Sequence, residues 1–325
     1  MNETLKISLP FYIAIFALFS SMVHGAQNLN PAPKIKIAVS TTPLSAPVYI
    51  AKVKGFFINA GLDVSILEID GGDQCFTALQ TGKADMATVS NSVIMFNSFE
   101  HSNFEVISSF AKSDNDLKIV SFKQKNIRTP HDLRGKTVGV VKGSASEYFL
   151  HLWLSKSEID IAEVDIKSYF ANELPIVLEQ GKVDAISVWE PFAYQINNSN
   201  NDIEIMNTKG LYNFSFNLIG LRDNPVLTST QTLGNHRQIK QKVTEALNKA
   251  VRFIAINPER SQLILRRHLK LSQHFIDWVW QDYTFELLLN EPLLSSVKNQ
   301  AQWAIDRELV PQENPPDFSK IILLD

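Results

Sequence analysis

Cysteine is nearly absent: a single thiol, Cys75, stands in 325 residues, so no disulfide can form within the chain. The seven histidines are scattered, with no H-x-x-x-H pair and no Cys/His cluster, which leaves a metal site little support. Neither a P-loop nor a G-x-G-x-x-G turn occurs, so the common nucleotide cradles are missing. A basic surplus is lacking too. Thirty-one Lys and Arg face 34 Asp and Glu, a formal net charge of −3, whereas a nucleic-acid binder presents a basic face. The densest basic stretch, Arg266-Arg267-His268, falls in a helical pattern and reads as a solvated face. After the amino terminus no apolar run approaches the roughly 20 residues of a membrane span. What remains is an ordinary globular composition, 45% apolar and 20% charged, in a chain long enough for two domains of about 100–200 residues.

The amino terminus carries a targeting pattern. Lys6 precedes an apolar stretch from Ile7 to Phe19, and Val23-His24-Gly25 follows with small or apolar residues where a signal peptidase reads. Residues 1–25 are therefore expected to be a cleaved secretory signal. No cysteine stands at the cleavage region, which disfavours a lipid anchor and leaves a freely exported protein. A lone thiol in such a protein is either buried or open to pairing between chains; Cys75, beside Phe76 on a helix, is expected to be buried.

Two stretches say nearly the same thing: Leu79-Gln80-Thr81-Gly82-Lys83-Ala84-Asp85 and Leu178-Glu179-Gln180-Gly181-Lys182-Val183-Asp184. Each reads as a helix end, a glycine stop and a buried strand. The first strand, Met86 to Val89, runs into Ser90-Asn91-Ser92; the second, Ala185 to Val188, runs into Trp189-Glu190-Pro191. Open α/β sheets bind ligands at such carboxyl strand ends. Two units of this kind suggest two similar lobes across a cleft.

Around them the patterning predicts a strand at Ile35–Val39, a helix from Val48 to Asn59 and a strand at Asp63–Ile69. Short connections between these imply a parallel pair. Gly71-Gly72-Asp73-Gln74 leads into the helix of the first repeat. Further strands are expected at Glu105–Ser109, Leu117–Phe122, Lys136–Val141, Val164–Tyr169 and Ser215–Leu221. Helices are expected at Ala145–Ser155 and Glu173–Gln180, with a short one opened by Thr129-Pro130. From Gln231 onward the pattern is helical, with Pro258 and Pro292 at helix starts, and this tail is expected to pack on the first lobe.

The loop Gly143-Ser144-Ala145-Ser146 can bind an anion. A glycine admits a close backbone approach, the first amides of a helix point outward, and the helix dipole adds about half a positive charge. Ser144 with Glu147 three residues on is equally a capping box, which would satisfy those amides internally. Trp189 can pack over a small ligand or grip a cation, and Glu190 can pair with an amine; the alternatives are a core tryptophan and a glutamate capping the next helix. Nothing here is a G-x-S-x-G elbow with a positioned histidine and acid, and an enzyme is not expected.

Several stretches in combination resemble the periplasmic solute-binding proteins of ABC importers in the nitrate, sulfonate and taurine group, a superfamily shared with thiamine-pyrimidine-precursor binders. They are Ala46-Pro47-Val48-Tyr49-Ile50-Ala51-Lys52, Lys54-Gly55-Phe56-Phe57, Ala60-Gly61-Leu62-Asp63-Val64, Gly82-Lys83-Ala84-Asp85, Asp132 to Val140, Gly143-Ser144-Ala145-Ser146, Gly181-Lys182-Val183-Asp184 and Val188-Trp189-Glu190-Pro191. The similarity covers about Ile35 to Arg222 well and the helical tail loosely.

The resemblance implies an α/β two-lobe periplasmic binding protein of type II, each lobe a mostly parallel sheet flanked by helices. Lobe one would be discontinuous (34–118 plus 221–325), and lobe two (119–220) would be inserted between two crossing strands. It further implies ligand contacts from Ser40, Thr41 and Ser45 after the first strand, Gln74, Ser90 and Asn91, Gly143, Ser144 and Ser146, and Trp189 and Glu190. Closure on a small-molecule solute would present a surface to an ABC permease and, through it, an ATPase subunit. The protein would be a monomer in the periplasm, without a cofactor. Glu147 and Glu190 depart from a simple anion site, and no obligatory Arg stands there, so an amine-bearing zwitterion or a neutral heterocycle is as compatible as sulfonate or nitrate. The cysteine-rich motif of the related pyrimidine-synthase enzymes is missing. A ligand sensor docking on a membrane signalling protein, without transport, is the alternative of another class.

Overall fold

Strand β1 (Lys34–Ser40) forms where apolar and charged residues alternate: Ile35 and Ile37 are buried, Lys34 and Lys36 exposed. The computed structural model describes residues 32–200, 202–223 and 236–324; the expected signal peptide and the expected start of the helical tail at Gln231 lie outside them. The predicted helix from Val48 to Asn59 is two helices, α1 (Ala46–Val53) and α2 (Phe56–Asn59), because Gly55 takes φ +69° and turns the chain between them. Strand β2 (Asp63–Ile69) then lies parallel to β1 in full register, Lys34 opposite Asp63 through Ser40 opposite Ile69. Helix α3 (Gly72–Gln80), strand β3 (Met86–Ser90) and helix α4 (Asn91–Ser98) complete the first repeat unit.

Two long strands follow. β4 (Phe104–Ser113) and β5 (Leu117–Phe122) are separated by three residues, yet they belong to different sheets. The second unit runs β6 (Thr137–Val140), α5 (Ala145–Ser155), β7 (Asp165–Ser168), α6 (Leu174–Glu179), β8 (Ala185–Trp189), α7 (Phe192–Ser199) and β9 (Ile203–Ile205). β10 (Phe214–Leu221) returns to the first sheet, followed by α8 (His236–Ile256), α9 (Pro258–Leu269), α10 (Gln273–Trp280), β11 (Tyr283–Leu288) and α11 (Glu291–Asp306). Pro258 and Pro292 sit at helix starts, as expected.

The sheet orders are β11-β4-β10-β3-β1-β2 and β7-β6-β8-β5-β9. Both sheets are mixed rather than mostly parallel. Parallel pairs are β1–β2, β1–β3, β6–β7 and β6–β8, and every pair made by a crossing strand is antiparallel. The cause is the crossing itself. β4 and β10 pair in sheet one, β5 and β9 pair in sheet two, and the two connecting segments bond to each other through Gly210 N–H to the Asp114 carbonyl (3.0 Å). A two-stranded antiparallel ribbon thus runs through both sheets. Because β10 lies in sheet one from Phe214 on, the return crossing precedes that residue, earlier than the expected boundary at 220. β11 also corrects the reading of the tail as wholly helical: Tyr283, Phe285 and Leu287 alternate with Thr284 and Glu286, and the strand adds an edge to β4, with Lys112 paired to Glu286 across the ladder.

One apolar cluster runs from sheet one through the crossing onto the α5 side of sheet two; a second, built on Leu174, Leu178, Ile186 and Val188, lies in sheet two. Cys75 is buried in the first cluster next to Phe76, as expected. α8 buries Ile239, Val243, Ala246, Leu247, Ala250 and Ile254 along one face, and with α9 it packs on α1.

Candidate functional site

Four carboxyl strand ends define the site: Ser40 of β1 and Ser90 of β3 from sheet one, Val140 of β6 and Trp189 of β8 from sheet two. The two halves meet on both flanks. On one, Tyr148 of α5 packs edge-on against Trp303 of α11 (centroids 5.0 Å) and Tyr212 (5.5 Å). On the other, Tyr194 of α7 packs on Phe275 (5.1 Å) and Trp278 (6.0 Å) of α10. Between the flanks a Cβ added at Gly143 would stand 3.9 Å from the Phe96 ring at the far side, so this glycine, at φ +63°, marks a close approach of the two halves.

On the sheet-one side the Ser40 N–H donates to Thr88 Oγ1 (2.9 Å), and its carbonyl accepts the Ser45 hydroxyl (2.8 Å). Ser45 is fully buried and has its proton committed there. The Thr41 hydroxyl, half-buried, donates to the Asp70 carboxylate. Gln74 lies exposed in the first turn of α3. Ser90 caps α4 by accepting the Val93 N–H (3.3 Å). Asn91 is fully buried and ties α4 to α11, its Nδ2 donating to Ser296 Oγ (3.0 Å). Asn217 on β10 donates to the Val89 carbonyl (3.3 Å) and leaves its buried Oδ1 without a donor.

On the sheet-two side the amides are capped from within the chain, each bond falling one residue earlier than in the expected capping box. Ser144 Oγ accepts the Ser146 N–H (3.1 Å), while Glu147 reaches back to the Gly143 N–H (2.8 Å). A carboxylate of the chain thus occupies part of the cradle an anion would use. The Ser146 hydroxyl donates to the Ser187 carbonyl (2.7 Å) and accepts the Val141 N–H (3.1 Å), stapling α5 to β8. Trp189 is half-buried, edge-on to Phe192 (6.4 Å).

Glu190 does more than either reading allowed. Its Oε2 accepts the Tyr194 N–H (3.0 Å), capping α7, and its Oε1 accepts the Trp278 indole N–H (2.6 Å) from the other half. Burial pushes its carboxyl above the usual range, opposed by the Trp278 hydrogen bond. Next to it, burial carries the Asp116 carboxyl up to about 7 against the Tyr283 hydroxyl that donates to it (2.7 Å). Burial lowers Lys118, whose ammonium donates to the Asn115 carbonyl. This polar knot sits at the crossing between sheets. Trp278, Tyr194, Phe96 and Asp116 escaped the sequence reading, since their signal is a long-range contact; only the aromatic content of α10 hinted at it. Among the described residues no group of three or more His, Cys, Asp or Glu is placed to hold a metal ion.

Two mixed sheets joined by a crossing ribbon, with strand ends facing one another, are the α/β two-lobe fold of periplasmic binding proteins. The periplasmic aliphatic sulphonate binding protein SsuA of Escherichia coli superposes with a TM-score of 0.73 at 17% identity, over 89% of this chain and 97% of that one. The alkanesulfonate-binding protein SsuA of Xanthomonas axonopodis pv. citri, bound to MOPS, gives 0.70 at 16% identity over 87% and 96%. Residues 42–261 match the NMT1/THI5-like family, and the chain belongs to it. A Bacillus subtilis (strain 168) protein, provisionally named as an aliphatic sulfonates-binding protein, is 30% identical over 185 residues, 55% of this chain and 54% of that protein. A second from the same strain, provisionally named binding protein YtlA, is 28% identical over 59% of each. The chain thus spans somewhat more than half the length of these two relatives.

Proposed function

We propose that this protein is the extracytoplasmic solute receptor of an ABC-type importer, capturing a small polar or anionic organic solute between its lobes and delivering it to a permease driven by a separate ATPase. The observation that carries the reading is the pair of repeat units, which set Ser90 and Trp189 at strand ends on opposite halves, joined by a two-strand ribbon able to act as a hinge. Family membership and the names of the relatives support it.

Within the site, Thr41, Ser90, the Gly143-Ser144 turn and Trp189 form the ligand-facing set. Ser45, Asn91 and Ser146, each fully buried, hold that set in place from behind. With Glu147 lodged in the α5 amide cradle, a bare anion meets a carboxylate there. A sulfonate that also carries an amine, or a heterocycle with its own donors, suits the arrangement better. Mass spectrometry of solute released on denaturing the purified protein, followed by titration of that compound against tryptophan fluorescence, tests the reading. A compound that is released and rebinds unchanged is expected; a chemically altered product overturns it in favour of an enzyme.

A further inference from the structure

The Glu190 carboxylate belongs to the sheet-two half, at the carboxyl end of β8, and is 5% exposed. One of its oxygens is held by its own half through Tyr194 N–H, the other by α10 of the opposite half through the Trp278 indole N–H. A hydrogen bond to an ionised carboxylate is about twice as strong as a neutral one. This one exists only while the halves touch, since opening would carry the indole away and return the carboxylate to water.

Its place in the fold makes the contact consequential. The Glu190 N–H donates to the Asp116 carbonyl in the crossing (3.2 Å), and Asp116 is bonded in turn by Tyr283 of β11. The carboxylate is therefore anchored to the ribbon about which the halves would turn. On its other side, one peptide bond away, stands Trp189 at the strand end. The opposite flank, Tyr148 against Trp303 and Tyr212, is aromatic. Closure thus combines an apolar flank with a charged one.

We infer that Glu190 and Trp278 form a latch that holds the two lobes closed, and that Glu190 governs how long a solute stays rather than touching the solute itself. The inference rests on the receptor reading above, in which the lobes open and close. Trp278→Phe is the sharp probe, because it deletes the N–H and keeps an aromatic ring against Tyr194; Glu190→Gln is the second variant, removing the charge at nearly constant shape.

Spin labels at Lys182→Cys and Arg260→Cys, both exposed and on opposite lobes, report the interlobe distance in the full mature chain without added solute. The buried Cys75, its thiol pushed up to about 12 by burial, stays out of the labelling. The latch predicts that Trp278→Phe at least doubles the long-distance population while circular dichroism and the melting temperature hold. Glu190→Gln should shift it in the same direction. Unchanged distances in a folded Trp278→Phe protein overturn the latch whatever the second variant does. The two readings fail separately: a protein that neither releases nor rebinds a solute loses the receptor reading, while the distance comparison still reports on the contact.

Discussion

The Gly82-Lys83-Ala84-Asp85 and Gly181-Lys182-Val183-Asp184 segments are alike in hydrogen bonds as well as in letters. Gly82 and Gly181 take φ +69° and +66°, and each donates its N–H to the carbonyl of the helical leucine three residues back (3.1 and 3.0 Å). Asp85 and Lys36 exchange two bonds at the start of β1, a backbone N–H to each carbonyl or carboxylate (both 2.8 Å). Asp184 and Thr137 repeat the exchange at the start of β6 (2.8 and 3.0 Å). Beyond the strands the likeness stops. Ser90 caps the next helix of its own lobe, whereas Trp189-Glu190-Pro191 leaves through a cis peptide bond and a carboxylate that reaches the other lobe. The repeated part is scaffold, and the difference between the lobes is written in three residues at each exit.

That comparison can be broken most forcefully in the cores. Leu79 and Leu178 are fully buried at equivalent positions, so Leu79→Ala and Leu178→Ala should each cost about 2–5 kcal/mol in urea unfolding. Strongly unequal losses would show that the two units are not equivalent supports. At the exits the effects should instead diverge. Trp189→Ala is expected to weaken binding of the released solute at least about tenfold in calorimetry, roughly 1.4 kcal/mol, with the melting temperature unchanged. Ser90→Ala should cost about 1 kcal/mol of stability through the lost cap. Unchanged affinity in Trp189→Ala would remove that residue from the site.

The paired aspartates sharpen the likeness. Asp85→Ala and Asp184→Ala should each lose about 1–3 kcal/mol by stranding a strand-start N–H. Asp184 adds a pH signature: burial works to raise its carboxyl, but the Lys125 ammonium (2.7 Å) and the Thr137 N–H outweigh it and hold it below the usual range. A depressed carboxyl contributes stability that is present above the unfolded value near 3.9 and is lost as pH falls through the folded value. Acid unfolding should therefore be shallower in Asp184→Asn than in the parent. The cleanest comparison is at the two glycines. Gly82→Ala and Gly181→Ala meet no atom within 4 Å, so each should cost only the backbone term of about 1–2 kcal/mol, equally in both lobes.

Much of the scaffold was legible because its causes are local. The strand at Leu117–Phe122 and the helix at Ala145–Ser155 fall where periodicity puts them, and the glycine stops and proline starts are decided within a few residues. The site was legible by position more than by role. Strand ends could be named, but whether Glu147 would meet a ligand or the Gly143 amide depends on a rotamer and a loop that letters do not specify.

Sequence alone determined the repeated helix–glycine–strand units, the burial of Cys75 and the places where polar groups emerge from strands, since each follows from short-range sterics and hydrophobic period. Tertiary structure decided the mixed sheets, the edge strand Tyr283–Leu288 and the bond from Glu190 to Trp278. In each of these the partner stands far away along the chain, and a hydrogen bond acquires its meaning only when folding has chosen what lies opposite.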